Sequence, residues 1–154
     1  MRPAVVALAA GLAAGLFAGC TADGPRNSAG QVTAPAAVDS YSIVVGDCVA
    51  KLETDSTRLL QLLPCTAEHQ WEAFHAGTLE GEDFPGAGGV QSQAEALCTE
   101  AVEPFLGLSA KKSKYELRFL TPSKESWAQS DRAVVCLIGA PSGGITGTLK
   151  GAAK

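Results

Sequence analysis

The residue types able to do chemistry gather between Cys65 and His75, where the chain reads Cys65-Thr-Ala-Glu68-His69-Gln-Trp71-Glu72-Ala-Phe-His75. A thiol, two imidazoles and two carboxylates in one short stretch offer three chemistries: a metal site on Cys65, His69 and His75, a Cys-His nucleophile, or acid-base work by His69 with Glu68 or Glu72. The spacing argues against each. Six positions apart on a strand, His69 and His75 share a face but stand about 20 Å from each other, and on a helix they lie about 240° round the axis. They do not chelate one ion together. Glu68 and Glu72 would be neighbours on a helix, but the extended chain expected here holds them about 13 Å apart, as solvated surface acids too distant to form a carboxylate pair. No serine sits in a nucleophile-elbow setting, and outside the cell a cysteine is more often oxidised than free. The sequence therefore points to no enzyme, no metal and no cofactor. The alternative is a small secreted enzyme or metal-binding domain using His69 and nearby carboxylates.

These side chains must be placed by regular elements. Residues 57–63 and 70–78 read as strands joined by the Cys65 to His69 stretch, and residues 83–89 as a loop. Ala94, Leu97, Cys98, Ala101 and Phe105 fall on one face of a helix over 90–105, with Pro104 and Gly107 marking its end. Tyr115, Leu117 and Phe119 alternate with Lys114, Glu116 and Arg118, the pattern of a strand with one wet face. Thr121 is expected as an N-cap with Pro122 at the first helical position of a short helix through Trp127. Residues 132–138 are a nearly unbroken apolar run, a central strand with Cys136 in its middle. The sum is an α+β domain: a small antiparallel sheet of about four or five strands with one main helix and one short helix.

Other polar residues have plain structural readings. Asp47 after Gly46 shapes a turn through its carboxylate, Asp131 with Arg132 makes an ion pair or a cap, and Lys111, Lys112 and Lys114 lie on a solvated loop. Trp71 and Trp127 read as lids of the core or, if half-exposed, as anchors for a partner. Residues 145–150, with Ile145 and Leu149, are expected to add an edge strand onto which a partner's extended segment could pair.

The N-terminus gives an address. Met1-Arg2-Pro3 and the uncharged run from Ala4 to Ala18 read as a signal peptide over residues 1–19, shorter and less apolar than a membrane-spanning helix requires. Leu16-Phe17-Ala18-Gly19-Cys20 resembles a lipobox, so Cys20 is expected to carry lipid and to hold the protein on the outer face of the cytoplasmic membrane. Residues 20–40 then form a flexible tether, and residues 41–151 the folded domain. Loss of residues 1–19 removes Arg2 and no acid, leaving 11 basic side chains against 16 acidic, a net of −5. Such a balance argues against nucleic acid as partner. A protein or cell-wall component is expected instead, and the oligomeric state is not legible.

Five cysteines are present, and lipidation of Cys20 leaves four. Three connectivities are open to Cys48, Cys65, Cys98 and Cys136. Cys48 with Cys65 and Cys98 with Cys136 is the expected set, because each pair then ties neighbouring elements. Loop closure in the unfolded chain gives these about 3 and about 4 kcal/mol.

Gly46-Asp47-Cys48, Pro64-Cys65-Thr-Ala-Glu-His69, Ala-Glu-Ala-Leu-Cys98, Thr121-Pro-Ser-Lys-Glu-Ser-Trp127 with Asp131-Arg132-Ala-Val-Val-Cys136-Leu, and Gly147-Thr-Leu-Lys-Gly151 follow one another in this order. Together they resemble the septum-formation domain family of actinobacterial envelope proteins over about residues 44–151, with Thr148 where members tend to carry Ser. The resemblance implies an extracytoplasmic domain linked by name to cell division and found on membrane-anchored proteins. It implies a disulfide role for the four cysteines and assigns nothing catalytic to any residue.

Overall fold

Alternation along one strand organises the domain. In the computed structural model, which describes residues 24–52 and 58–153, Val134, Cys136 and Ile138 of the apolar run turn to one core while Leu137 and Val135 turn to another. A strand buried on both faces must be central. That strand, β6 (Ala133–Gly139), has β4 (Trp71–Thr78) on one side and β5 (Glu116–Leu120) on the other, both antiparallel. Beyond β4 come β2 (Cys48–Val49), β3 (Leu59–Leu63) and β1 (Ala36–Asp39), so the sheet has six strands in the order β1-β3-β2-β4-β6-β5. This is one more than the upper expected number, because β1 and β2 are short and carry little strand signal of their own. The sheet curls: Ser40 and Tyr41, just past one edge strand, line a cavity of about 200 Å³ together with Leu120 of the opposite edge strand.

The helix α1 (Gly86–Leu106) covers one face. It starts four residues before the expected position, taking the glycine-rich stretch into its first turn, and Pro104 lies inside its last turn instead of ending it. The end is Gly107 at φ 80°, whose N–H bonds Glu103 O, a left-handed cap that glycine adopts without a Cβ clash. Its buried stripe is Val90, Ala94, Cys98, Val102 and Leu106, one residue further round the helix than Leu97, Ala101 and Phe105, which pack only partly against the core. The short helix α2 (Lys124–Trp127) is capped by Ser123, whose hydroxyl accepts from Ser126 N while Ser126 Oγ accepts from Ser123 N. The expected cap at Thr121 is thus corrected by two residues: this reciprocal Ser-Ser bonding satisfies two amides at once. Glu125 in its first turn is held below the ordinary carboxylate pKa by its own backbone N–H and the Ser123 hydroxyl.

Two disulfides fasten the layers. Cys48 is bonded to Cys65, and Cys98 of α1 to Cys136 of β6, with Cα atoms 5.5 Å apart. The latter sits in the helix-side core beside Val102 and Val134.

The tether expectation is corrected over residues 24–39. Arg26 and Val32 form an antiparallel bridge, Ala36 to Asp39 pair with Leu62 to Leu59, and Val32 and Val38 are buried in the second core. Two buried valines, a strand edge and the Arg26 side chain bonded to Asp47 hold a segment that has no apolar periodicity. Residues 1–19 and Cys20 lie outside the described residues.

Candidate functional site

Asp47, Cys65, His69 and Glu72 come together in one region of the sheet, while Glu68 is exposed and His75 stands apart beside α1. Asp47, immediately before β2, lies beside Glu72 of β4: Cys48 pairs with Glu72, and Ala73 N donates to Asp47 O. Alternation sends the two carboxylates to opposite faces. Each fastens a different end of the domain.

Asp47, 1 % exposed, takes Arg26 in a bidentate pair at 2.6 and 2.9 Å. Its Oδ2 also accepts Val44 N at 2.9 Å, closing the expected turn. A buried carboxylate needs such partners. The sequence reading found the turn and missed Arg26, which lies 21 residues away in a segment with no pattern. Arg26→Ala is expected to destabilise the domain by about 2 kcal/mol, because it strips a buried carboxylate of two charge-assisted hydrogen bonds while Val44 N stays. Urea unfolding measures this, and selective loss of amide protection around Val32 and Val38 locates it. A change below about 0.5 kcal/mol, the level of an exposed ion pair, would reject the clasp.

Glu72 is buried, and its description as a solvated surface acid is corrected. Oε1 accepts Thr148 Oγ1 at 2.6 Å and Oε2 accepts Leu149 N at 2.6 Å. Glu68, by contrast, is exposed. The signal for a buried Glu72 was present: Trp71-Glu72-Ala73-Phe74 is apolar on both sides of the glutamate, the pattern of a strand covered on both faces.

His69 is buried as well. Ala67 O, which can only accept, lies 2.9 Å from Nδ1, so Nδ1 carries the proton and donates. Nε2 is buried and has no hydrogen-bond partner among the described residues. The His69 backbone exchanges both hydrogen bonds with Ile145. His75 stands further along β4, half-buried against α1, and Cys65 is spent in its disulfide. Among the described residues no three His, Cys, Asp or Glu side chains are grouped to hold a metal ion.

The expected C-terminal edge strand is corrected. Residues 145–150 form no ladder; they touch the sheet through the single His69–Ile145 bridge and are then clasped by Glu72. Glycine at 143, 144 and 147, all with positive φ, turns the chain too often for strand pairing. Ile145 and Leu149 face inward into the helix-side core.

Trp71 and Trp127 are likewise buried, each 3 % exposed, and neither offers an anchor face. Trp71 fills the second core. Trp127 donates Nε1–H to Glu82 O, meets Phe84 edge-on and lies under the Arg132 guanidinium, 3.7 Å from its ring centroid. Arg132 ties backbone carbonyls of Gly81, Glu82 and Trp127 together. Asp131 accepts Ala133 N, so its role is a cap at the start of β6.

Residues 45–153, well over half of the chain, match the family model described as Septum formation. No curated protein and no solved structure matches the chain. The matched span includes both disulfides, Glu72 and the clasped C-terminal segment, and begins after Arg26 and β1.

Proposed function

The chain belongs to the septum-formation family, and on that premise we propose that it is a non-catalytic binding or assembly module of the cell envelope, held on the outer face of the cytoplasmic membrane by lipid at Cys20. The observation that carries this reading is the engagement of its polar side chains: Asp47, Glu72, Asp131 and Arg132 each fix a backbone segment. Such a scaffold presents surfaces. The two disulfides suit an oxidising compartment, and they account for four cysteines, leaving Cys20 after its apolar run as the acceptor of lipid.

Because Gly24 already belongs to the segment folded against β1, a lipidated Cys20 has only about 14 Å of fully extended chain before the domain begins. The domain then works directly against the membrane. The partner is a protein or wall component within that reach.

Intact mass of the protein taken from membranes, alkylated before and after reduction, tests the reading. A chain beginning at Cys20 with acyl mass, and four thiols appearing only after reduction, is expected. An unacylated chain with free thiols would overturn it and return Cys65 and His69 to consideration as reactive groups.

A further inference from the structure

β4 is an interior strand along only part of its length. It pairs with β6 from Trp71 to Thr78, but with β2 only at Trp71 and Glu72, the contact ending where Gly46 N and Asp47 O bond Ala73. There the chain leaves the sheet in a turn closed by Asp47 N to Val44 O, with Gly46 at φ 98°. Among the described residues the β2 side of β4 is open from His75 to Thr78, and it closes at Glu80, whose N–H donates to Gln93 Oε1 of α1 at 3.1 Å. Leu79 N donates to Arg132 O on the β6 side, so alternation aims the backbone groups of Gly77 and His75 at β6 and those of Ala76 and Thr78 away from it. Among the described residues no backbone group meets Ala76 or Thr78 on that side.

A groove of about 560 Å³ runs beside this edge, between β4 and α1. Its apolar wall is Leu97, Ala101 and Pro104, and Leu97 can lie down on the strand because Gly77 has no side chain to meet it. Glu80 and Glu100 also line it, while no lysine or arginine does.

We propose that the open edge of β4 at Ala76 and Thr78 accepts an extended, basic segment of a partner protein as an added strand, with alternate side chains of that segment facing the groove along α1. The inference rests on the binding-module reading and names the chemistry of the partner. Edge addition supplies affinity through main-chain hydrogen bonds, and the groove supplies selection. Charge selects the occupant: a second copy joined edge to edge would bring two sets of Glu80 and Glu100 together, which like-charge repulsion opposes.

The test uses the full chain and an acetylated octapeptide in which lysine alternates with valine, against the same peptide with glutamate for lysine. The lysine peptide is expected to bind and to protect the amides of Ala76 and Thr78 from hydrogen exchange. Ala76→Pro, which removes an outward N–H at an edge where proline is tolerated, is expected to weaken binding about tenfold. Glu80→Lys with Glu100→Lys, both exposed and harmless to the fold, is expected to weaken it about fivefold to tenfold and to flatten its salt dependence. No binding, equal binding of the glutamate peptide, or binding unchanged in both variants would overturn the proposal. Protection mapped to another surface would overturn the edge site while leaving the module reading in place, and failure of that reading shows separately as an unacylated chain with free thiols.

Discussion

Replacing Cys98 and Cys136 together by alanine is expected to lower the stability of the domain by at least about 4 kcal/mol, with denaturation by urea as the measurement. The bond closes a stretch of 38 residues, for which loop-closure entropy in the unfolded chain gives about 4 kcal/mol. Two buried sulfur atoms are also lost from a core that holds Phe74, Val90, Val102 and Val134 around them, and the small voids left behind add to the cost. Both contributions have the same sign. The bond does more than add stability, because it is the covalent link between α1 and the central strand. Without it, the helix is held by its buried stripe alone, and its amides should exchange faster than those of the β6 ladder. Cys48→Ala with Cys65→Ala closes only 17 residues and is expected to cost about 3 kcal/mol. A loss under about 1 kcal/mol for the Cys98 and Cys136 pair would mean that packing alone fixes the helix. Reduction of the unaltered protein should reproduce the combined loss.

What was legible from the residues follows from how local each signal is. The apolar run 132–138, the alternation at 115–119 and the helical spacing of Ala94, Leu97 and Cys98 are carried within single elements, and β6, β5 and α1 lie where those patterns put them. The pairing of cysteines expected from neighbouring elements is the pairing present. β1 and β2 were not legible, because Ala-Ala-Val-Asp has weak strand preference and Cys48–Val49 is two residues long. They exist because β3 needs partners on both sides. The Arg26 to Asp47 clasp joins residues 21 positions apart, and no periodicity marks such a pair. The C-terminal segment misled in an instructive way: Ile145 and Leu149 suggested an exposed edge, whereas both are anchors of a clasped loop. β4, interior at Trp71 and Glu72, is unpaired on its β2 side at Ala76 and Thr78 among the described residues, which follows from the shortness of β2.

Glu72→Ala is expected to destabilise the domain by about 3 kcal/mol and to free the C-terminal segment before the rest unfolds. The glutamate receives a hydroxyl and a buried backbone amide, one on each oxygen. Removing it leaves Leu149 N–H buried without an acceptor, and an unsatisfied buried donor costs about 1–3 kcal/mol. The void of the missing carboxylate adds to this. Relief comes only by lifting the segment away, which exposes Leu149 and then Ile145, each contributing about 1.5–3 kcal/mol of burial. Glu72→Gln separates shape from charge. It keeps one carbonyl oxygen for Leu149 N, and its amide can donate to the Thr148 hydroxyl, so about half the loss is expected. Thr148→Ser keeps the hydroxyl and should cost less than about 0.5 kcal/mol; Thr148→Ala should cost about 1 kcal/mol. Hydrogen exchange at Leu149 read alongside urea unfolding distinguishes the steps. Fast exchange at Leu149 in Glu72→Ala with β6 still protected is the expected result. If Leu149 stays protected, or if Glu72→Ala costs no more than Thr148→Ala, the carboxylate is not what holds the segment, and the bridge at His69 with the burial of Ile145 must hold it instead.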